Sequence, residues 1–281
     1  HLLQLDKSAL SSAIPDAGGK LLVLAHGLCM NDLQWKRQGH DHGAALARDL
    51  GYTPVYLHYN SGRHISTNGR EFADLLEALL ANWPVPVKEL AILGHSMGGL
   101  LARGAWHYGT AAGHAWPRRL KKLVFLGTPH HGAPMERGGN WIDITLGASP
   151  YTAPLSRLGK IRSAGITDLR HTYLLDEDWH GRDRFARSTG HHAAVPLPEG
   201  VLCYAIAGTT GKQAGDLKDR LIGDGLVPLA SALGCHAEDD RNLMVPPARQ
   251  WIALETGHLD LLCRKQVYER IRDWLAEPKP A

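Results

Sequence analysis

Residues 94–98 read Gly-His-Ser-Met-Gly and lie between an apolar run, Leu90 to Leu93, and a stretch of small residues that begins near Met97. A serine hydroxyl is a poor nucleophile unless a tight turn between a strand and a helix holds it clear of the backbone. Such a turn favours glycine two residues to either side of the serine, because a Cβ atom there would clash. The pattern predicts a nucleophile elbow with Ser96 at its tip, although the motif alone also fits a plain glycine-rich turn.

A base and an acid for this serine are expected later in the chain, in loops that follow later strands. Asp224 is flanked by glycines in the loop 223–228, and His258 follows the last predicted strand directly. Both side chains would emerge at the carboxyl edge of a parallel sheet, beside Ser96. Four nearby aspartates stay open as alternatives for the acid: Asp216, Asp219, Asp239 and Asp240.

Acyl transfer also needs donors that are fixed before charge develops on the oxyanion of the tetrahedral intermediate. The N–H of Met97, at the start of the predicted helix, is one expected donor. The second is the N–H of Leu28, in the loop after the first strand. His26 in that loop is interpreted as orienting the loop through its ring nitrogens rather than transferring protons. Leu28 and Met30 are also expected to touch the acyl chain of a substrate.

The chain is predicted to form a single domain, 1–281, with residues 130–200 inserted as a cap. This interval is too long for a structureless loop where the alternating pattern needs only one helix. Trp141 and Leu146 are among its apolar residues, and they are predicted to bind substrate by lining a cleft over the nucleophile. The alternative is that the apolar residues merely pack the cap onto the main domain.

Predicted strands alternate with helices, which is the pattern of a parallel sheet covered on both faces. The predicted fold class is therefore α/β, with a mostly parallel sheet of about six strands. The predicted strands are Leu21–Ala25, Pro54–Tyr59, Leu90–Leu93, Leu123–Leu126, Val201–Ala207 and Gln250–Leu254, and the predicted helices are Gly43–Leu50, Thr67–Asn82, Met97–His107 and Leu261–Leu275.

Composition and charge argue against several classes of function. The 281 residues are 44% hydrophobic, which suffices for a large core, and the formal net charge is only +3. Scattered basic residues give no support for nucleic-acid binding. The longest apolar runs have the length of a strand, so no transmembrane segment is expected. The chain opens at His1 without a signal peptide, which suggests a trimmed product and leaves localisation open. The oligomeric state is open as well.

No cofactor or metal is expected. The four cysteines lack C-x-x-C spacing, which argues against a zinc site or a redox motif. Cys29 and Cys203 are interpreted as buried small hydrophobic residues, and a disulfide between Cys235 and Cys263 is conceivable without support. Two histidine groups are interpreted as surface residues rather than metal ligands: His40 with His42, and His191 with His192.

Together these segments resemble the α/β-hydrolase superfamily, and within it the bacterial lipases and carboxylesterases with an H-G-L oxyanion loop and a G-H-S-M-G-G elbow. Residues 127–132, Gly-Thr-Pro-His-His-Gly, resemble a turn after the next strand in that group. The sequences that begin at Asp224 and at His258 resemble its acid loop and its histidine segment. The resemblance implies ester hydrolysis by a triad of Ser96, Asp224 and His258.

The sequence departs from several of these lipases at Asp260. An aspartate after the catalytic histidine binds a structural calcium ion there, but the residues after Asp260 lack the further oxygen ligands that calcium needs. We expect Asp260 to cap the last helix instead.

The expected activity is hydrolysis of a small-molecule or lipid carboxylic ester through an acyl-enzyme intermediate. Two alternatives stay open: an acyltransferase or thioesterase with the same triad, and a non-catalytic binding module on the same scaffold. The sequence does not fix the acyl-chain length, nor the choice among small esters, triglycerides and polyesters.

Overall fold

Six parallel strands form one sheet in the computed structural model, which describes residues 2–132, 163–181, 195–213 and 223–278. The strand order is β2-β1-β3-β4-β5-β6, and every neighbouring pair is parallel. The predicted α/β class is confirmed. The strands are β1 (Lys20–Ala25), β2 (Thr53–Leu57), β3 (Glu89–His95), β4 (Leu120–Leu126), β5 (Leu202–Gly208) and β6 (Gln250–Ala253).

Helices connect the strands, as a parallel sheet requires. The α-helices of the described residues are α1 (Lys7–Ala13), α2 (His42–Leu50), α3 (Ile65–Asn82), α4 (Met97–Ala111), α5 (Ala164–His171), α6 (Asp176–Trp179), α7 (Leu229–Ala232) and α8 (Lys265–Ala276). Short 3-10 turns lie at Asp32–Trp35, Trp116–Arg119, Asp239–Arg241, Pro247–Arg249 and Asp260–Leu262. No helix in these described parts is long and apolar enough to cross a membrane.

The two faces of the sheet carry separate apolar layers, because successive side chains of a strand point to opposite faces. In β1, Leu21 and Val23 pack with apolar residues of α3 and α4. Leu22 and Leu24 pack on the other face with residues of α2 and α8. A third apolar cluster includes Leu28 and gathers beyond the carboxyl ends of the strands. Both faces of the sheet are thus buried, and the loops of the candidate site lie at the carboxyl ends of the strands.

The last helix was predicted incorrectly at its start. A 3-10 turn occupies Asp260–Leu262, the backbone breaks at Cys263, and α8 begins only at Lys265. Asp260 is therefore not the cap of this helix. Its Oδ2 accepts a hydrogen bond from the Gly257 N–H (3.2 Å) and lies 3.6 Å from the Arg264 guanidinium. The Asp260 carboxylate closes a turn that contains His258, and the helix begins only after this turn.

Most of the predicted cap, residues 130–200, lies outside the described residues, so the single domain with an inserted cap stays a prediction. The segment 163–181 is described, and it packs on α3. The buried Asp168 carboxylate accepts a hydrogen bond from the Ile65 N–H (2.7 Å) and one from His64 Nδ1 (3.0 Å). This contact fixes the segment to the start of α3.

His42 corrects one expectation, because it is fully buried rather than at the surface. Its Nε2 donates to the Leu261 carbonyl (2.9 Å), which leaves Nδ1 to accept from His40 Nε2 (2.9 Å). Burial lowers the pKa of His42 to about 4, so the pair is structural. His191 and His192 lie outside the described residues. All four cysteines are free thiols, with Cys203 buried in β5 and the other three partly exposed.

Candidate active site

The strand register brings the loops of the candidate site to one level. Ala25 at the end of β1 pairs with Gly94 of β3, and Leu126 at the end of β4 pairs with His95. The chain leaves β1 towards β2 on one side and leaves β3 towards β4 on the other. Open α/β sheets bind ligands in the crevice at such a switch point. Ser96 and the loop after β1 both lie there.

Ser96 is held in a strained turn between β3 and α4. Its backbone has φ 55° and ψ −124°, a region that non-glycine residues rarely occupy and that clusters at functional sites. A Cβ on Gly94 would lie 2.6 Å from Gly99 Cα, and one on Gly98 would lie 2.2 Å from the Ala25 carbonyl oxygen. Glycine is required at both positions because the backbone of the elbow lies in direct contact with neighbouring backbone. The predicted strand, turn and helix are present in that order.

His258 and Asp224 meet beside this turn. His258 Nδ1 donates to Asp224 Oδ2 (2.7 Å), and both side chains are buried. The other carboxylate oxygen, Oδ1, accepts from the N–H groups of Leu226 (3.0 Å) and Val227 (2.8 Å). The His258 N–H donates to the Asp224 carbonyl (3.0 Å). The backbone therefore fixes which oxygen faces the imidazole.

His95 joins the elbow to the loop that carries His258, a role that no local sequence pattern indicates. Its ring centroid lies 4.7 Å from that of His258, and its Nε2 donates to the His258 carbonyl (3.1 Å). Burial and the neighbouring His258 lower the pKa of His95 well below its usual value, which keeps the ring neutral. The buried Ser96 Oγ makes no hydrogen bond within the described parts of the chain.

Gly127 lies at the centre of the site and was also missed as a functional position. It follows β4 with φ 55°, and a Cβ there would approach both Asp224 Oδ2 and His258 Nδ1 to 3.1 Å. Glycine is required because the backbone passes directly beside the carboxylate–imidazole pair. The sequence signal for this position is the Gly-Thr-Pro turn at 127–129, which resembles a turn of the lipase group.

The two expected oxyanion donors lie on the loops that meet at the switch point. Leu28 follows β1, and Met97 is the first residue of α4. Within the described residues neither N–H donates to another protein group. The side chains of Leu28 and Met97 are buried in the third apolar cluster together with Leu100. In the part of the chain that the structure describes, the two N–H groups are therefore unpaired and lie beside an apolar cluster.

The remaining predicted site residues divide into three groups. Met30 is partly buried, and its Sδ lies 3.4 Å from where a Cβ on Gly27 would be, on the same loop as Leu28. Trp141, Leu146, Asp216 and Asp219 lie outside the described residues. Asp239 and Asp240 are exposed on a 3-10 turn and do not contact His258. Among the described residues, no cluster of three or more His, Cys, Asp or Glu side chains could hold a metal ion.

An open parallel sheet with a strained serine elbow after β3 and a buried histidine–aspartate pair at the same edge defines an α/β-hydrolase fold. The family model described as PGAP1-like alpha/beta domain matches residues 17–197, and the chain belongs to this family. No curated protein sequence matches the chain significantly.

Solved structures with the same fold include lipases. The mature lipase BlEst2 of Bacillus licheniformis is 15% identical, with 91% of each chain covered and a TM-score of 0.59. Its propeptide form is 16% identical, covers 95% of this chain and 52% of that one, and has a TM-score of 0.57. Lipase B of Aspergillus fumigatus is 13% identical, covers 94% and 55%, and has a TM-score of 0.56. These likenesses confirm the expected α/β-hydrolase fold.

Proposed function

We propose that this protein is a serine hydrolase of carboxylic esters, with Ser96 as nucleophile, His258 as base and Asp224 as the acid that holds the base. The observation that carries the proposal is the buried 2.7 Å hydrogen bond between His258 Nδ1 and Asp224 Oδ2. It lies at the same sheet edge as the strained Ser96 turn. A buried imidazole paired with a carboxylate, next to a serine on a strained strand-to-helix turn, is the arrangement that activates a serine hydroxyl.

In this mechanism His258 Nε2 takes the proton of Ser96 as Oγ attacks the ester carbonyl. Rotation about the Cα–Cβ bond of Ser96 brings its hydroxyl towards the imidazole, and catalytic hydrogen bonds commonly tighten only when substrate is bound. Asp224 holds the imidazole in the required tautomer and stabilises its positive charge. The His258 imidazolium then gives its proton to the leaving alcohol, which leaves an acyl group on Ser96.

The N–H groups of Leu28 and Met97 stabilise the oxyanion that forms on the carbonyl oxygen. Water, activated by the same histidine, attacks the acyl group and releases the acid. The apolar cluster that contains Leu28, Met97 and Leu100 lies beside the nucleophile and favours a substrate with an apolar acyl group. Met30, Trp141 and Leu146 complete the proposed acyl-binding set.

Three features favour an ester over other substrates of the fold. Serine, rather than a carboxylate, stands at the elbow, which disfavours dehalogenase and epoxide hydrolase chemistry. The solved structures named above that share the fold are lipases. The side chains packed around the proposed oxyanion donors, such as Leu100, are apolar rather than charged. An acyltransferase or a thioesterase would use the same residues and differ only in the nucleophile or leaving group accepted.

The proposal is tested with p-nitrophenyl esters of increasing acyl length. We expect the wild-type protein to hydrolyse at least the short esters, and Ser96→Ala to lose all enzyme-dependent turnover while its unfolding temperature stays within a few degrees. Ser12→Ala, which alters an exposed helix serine, is the control and should retain full activity. Wild-type rates in Ser96→Ala would refute the assignment. Parallel reactions with a thioester and with an added alcohol acceptor distinguish the three transfer activities.

A further inference from the structure

The peptide unit between Gly27 and Leu28 is held from its carbonyl side. The Gly27 carbonyl accepts from His26 Nδ1 (2.9 Å) and from the Met30 N–H (3.3 Å). A peptide bond is planar and trans, so its N–H points opposite to its carbonyl. His26 Nδ1 and the Met30 N–H therefore determine the direction in which the Leu28 N–H points. The proposed function assigns this Leu28 N–H to the oxyanion.

The His26 ring is itself held by Tyr59, which follows the neighbouring strand β2. The two rings stack at 4.3 Å between centroids with an interplanar angle of 22°. The Tyr59 hydroxyl donates to the His26 carbonyl (2.7 Å). Burial lowers the pKa of His26 to about 4, so its ring stays neutral, with the proton on Nδ1 where it faces the Gly27 carbonyl. Tyr59 therefore fixes both the ring and the backbone of His26.

A second residue of the same loop holds the other side of Leu28. Cys29 has φ 56°, in the left-handed region, which is strained for a non-glycine residue. Its N–H donates to the buried Ser61 Oγ (3.0 Å), which stabilises this conformation. Ser61 is in turn backed by the segment 163–181, because a Cβ on Gly165 would lie only 2.2 Å from the Ser61 carbonyl oxygen.

We propose that Tyr59 and Ser61, in the loop after β2, are positioning residues that hold the Leu28 N–H in place for the oxyanion before substrate binds. The inference rests on the proposed function and assigns a task to a loop that carries no catalytic motif. Neither side chain is expected to touch the reacting atoms. Each acts through the backbone of the loop 26–29, Tyr59 from the His26 side and Ser61 from the Cys29 side.

The test compares Tyr59→Phe and Ser61→Ala with wild type on p-nitrophenyl butyrate. Loss of an oxyanion donor costs about 100-fold to 1000-fold in kcat, so a loosened donor should cost less, about 5-fold to 50-fold. We expect kcat to fall by that factor in each variant while KM changes less than about twofold. Diethyl p-nitrophenyl phosphate reacts with the serine through a transition state in which negative charge develops on the phosphoryl oxygen. Its rate of inactivation should therefore fall by the same factor as kcat.

Two control variants remove equivalent hydrogen bonds outside the loop 26–29. Tyr56→Phe removes a hydroxyl that donates to Asp41 (2.7 Å), and Ser66→Ala removes a buried hydroxyl that accepts from Trp179 Nε1 (2.9 Å). Both should keep kcat even where the unfolding temperature falls. An unchanged kcat in Tyr59→Phe and Ser61→Ala, or equal losses in the control variants, would overturn the inference. Absence of esterase activity and of phosphorylation in the wild type would instead contradict the proposed function.

Discussion

Asp224 holds His258 from two directions: its Oδ2 accepts from the imidazole Nδ1 at 2.7 Å, and its carbonyl accepts from the His258 N–H at 3.0 Å. Side chain and backbone are thus fixed together across two loops. The two residues are joined by contacts that a single substitution can alter selectively.

Asp224→Asn should lower kcat for a p-nitrophenyl ester by about 1000-fold to 10000-fold. Oδ1 already accepts two backbone N–H groups, so the asparagine keeps its oxygen there and turns its amide NH₂ towards His258 Nδ1. The imidazole must then carry its proton on Nε2, which is the wrong tautomer for a base. Asp239→Asn, on an exposed turn, is the matched control and should be fully active. A normal rate in Asp224→Asn would move the acid role to another aspartate.

Gly98→Ala should reduce both activity and stability. The added Cβ would lie 2.2 Å from the Ala25 carbonyl oxygen and 2.6 Å from that of His26, so the elbow and the loop after β1 must separate. We expect a lower unfolding temperature and at least a 100-fold loss of kcat, comparable to loss of an oxyanion donor.

Gly104→Ala is the control in the same helix, because a Cβ there meets no atom closer than 3.9 Å. It should keep activity and raise the free energy of unfolding by about 0.4 to 1 kcal/mol. Equal behaviour of the two variants would contradict the close packing of the elbow.

His95→Leu should lower kcat about tenfold, which corresponds to ~1.4 kcal/mol of transition-state stabilisation. It removes the donor to the His258 carbonyl and the ring that packs on the imidazole. His95→Gln keeps an N–H donor of similar reach and should recover part of the loss. Steady-state kinetics on a p-nitrophenyl ester give the comparison. A wild-type kcat in His95→Leu, or no difference in kcat between the two variants, would exclude this positioning role.

The buried Asp168 carboxyl should make stability depend on pH. Burial is the main cause that raises its pKa to about 6, with a smaller contribution from Asp178, while the Ile65 N–H and His64 oppose the rise. An acid with a raised pKa in the folded state stabilises the fold when protonated. That contribution is full below the unfolded pKa, about 3.9, and is lost as the pH rises through about 6.

Denaturant unfolding of wild type and Asp168→Asn measures this effect. The stability of the wild type relative to the variant should fall by an amount on the order of 3 kcal/mol between about pH 3 and about pH 7. Asp16→Asn, at an exposed position, is the control and should change the free energy of unfolding by less than about 0.5 kcal/mol. A difference between wild type and Asp168→Asn that does not change with pH would contradict the assignment.

The sheet and the elbow were predictable because their signals are local. The apolar run before Gly94, the glycines around Ser96 and the small residues after it lie within a few positions of each other. The proximity of Asp224 and His258 was predictable from their places after strands, since parallel strands end at one edge.

Other features depend on contacts between distant residues and had no local pattern. Tyr59 and Ser61 contact the loop 26–29 across 32 or 33 positions, and His95 contacts His258 across 163. The predicted start of the last helix, Leu261, was wrong for the same reason. The Asp260 carboxylate closes a turn with the Gly257 N–H, and α8 begins only at Lys265.

The role of Ser96 as nucleophile is tested by the mass of the protein after reaction with diethyl p-nitrophenyl phosphate, followed by peptide mapping. We expect one diethyl phosphoryl group per chain, carried by the peptide that contains Ser96, with stoichiometric release of p-nitrophenol and no adduct in Ser96→Ala. A wild-type chain that stays unmodified, or an adduct that persists in Ser96→Ala, would contradict this role.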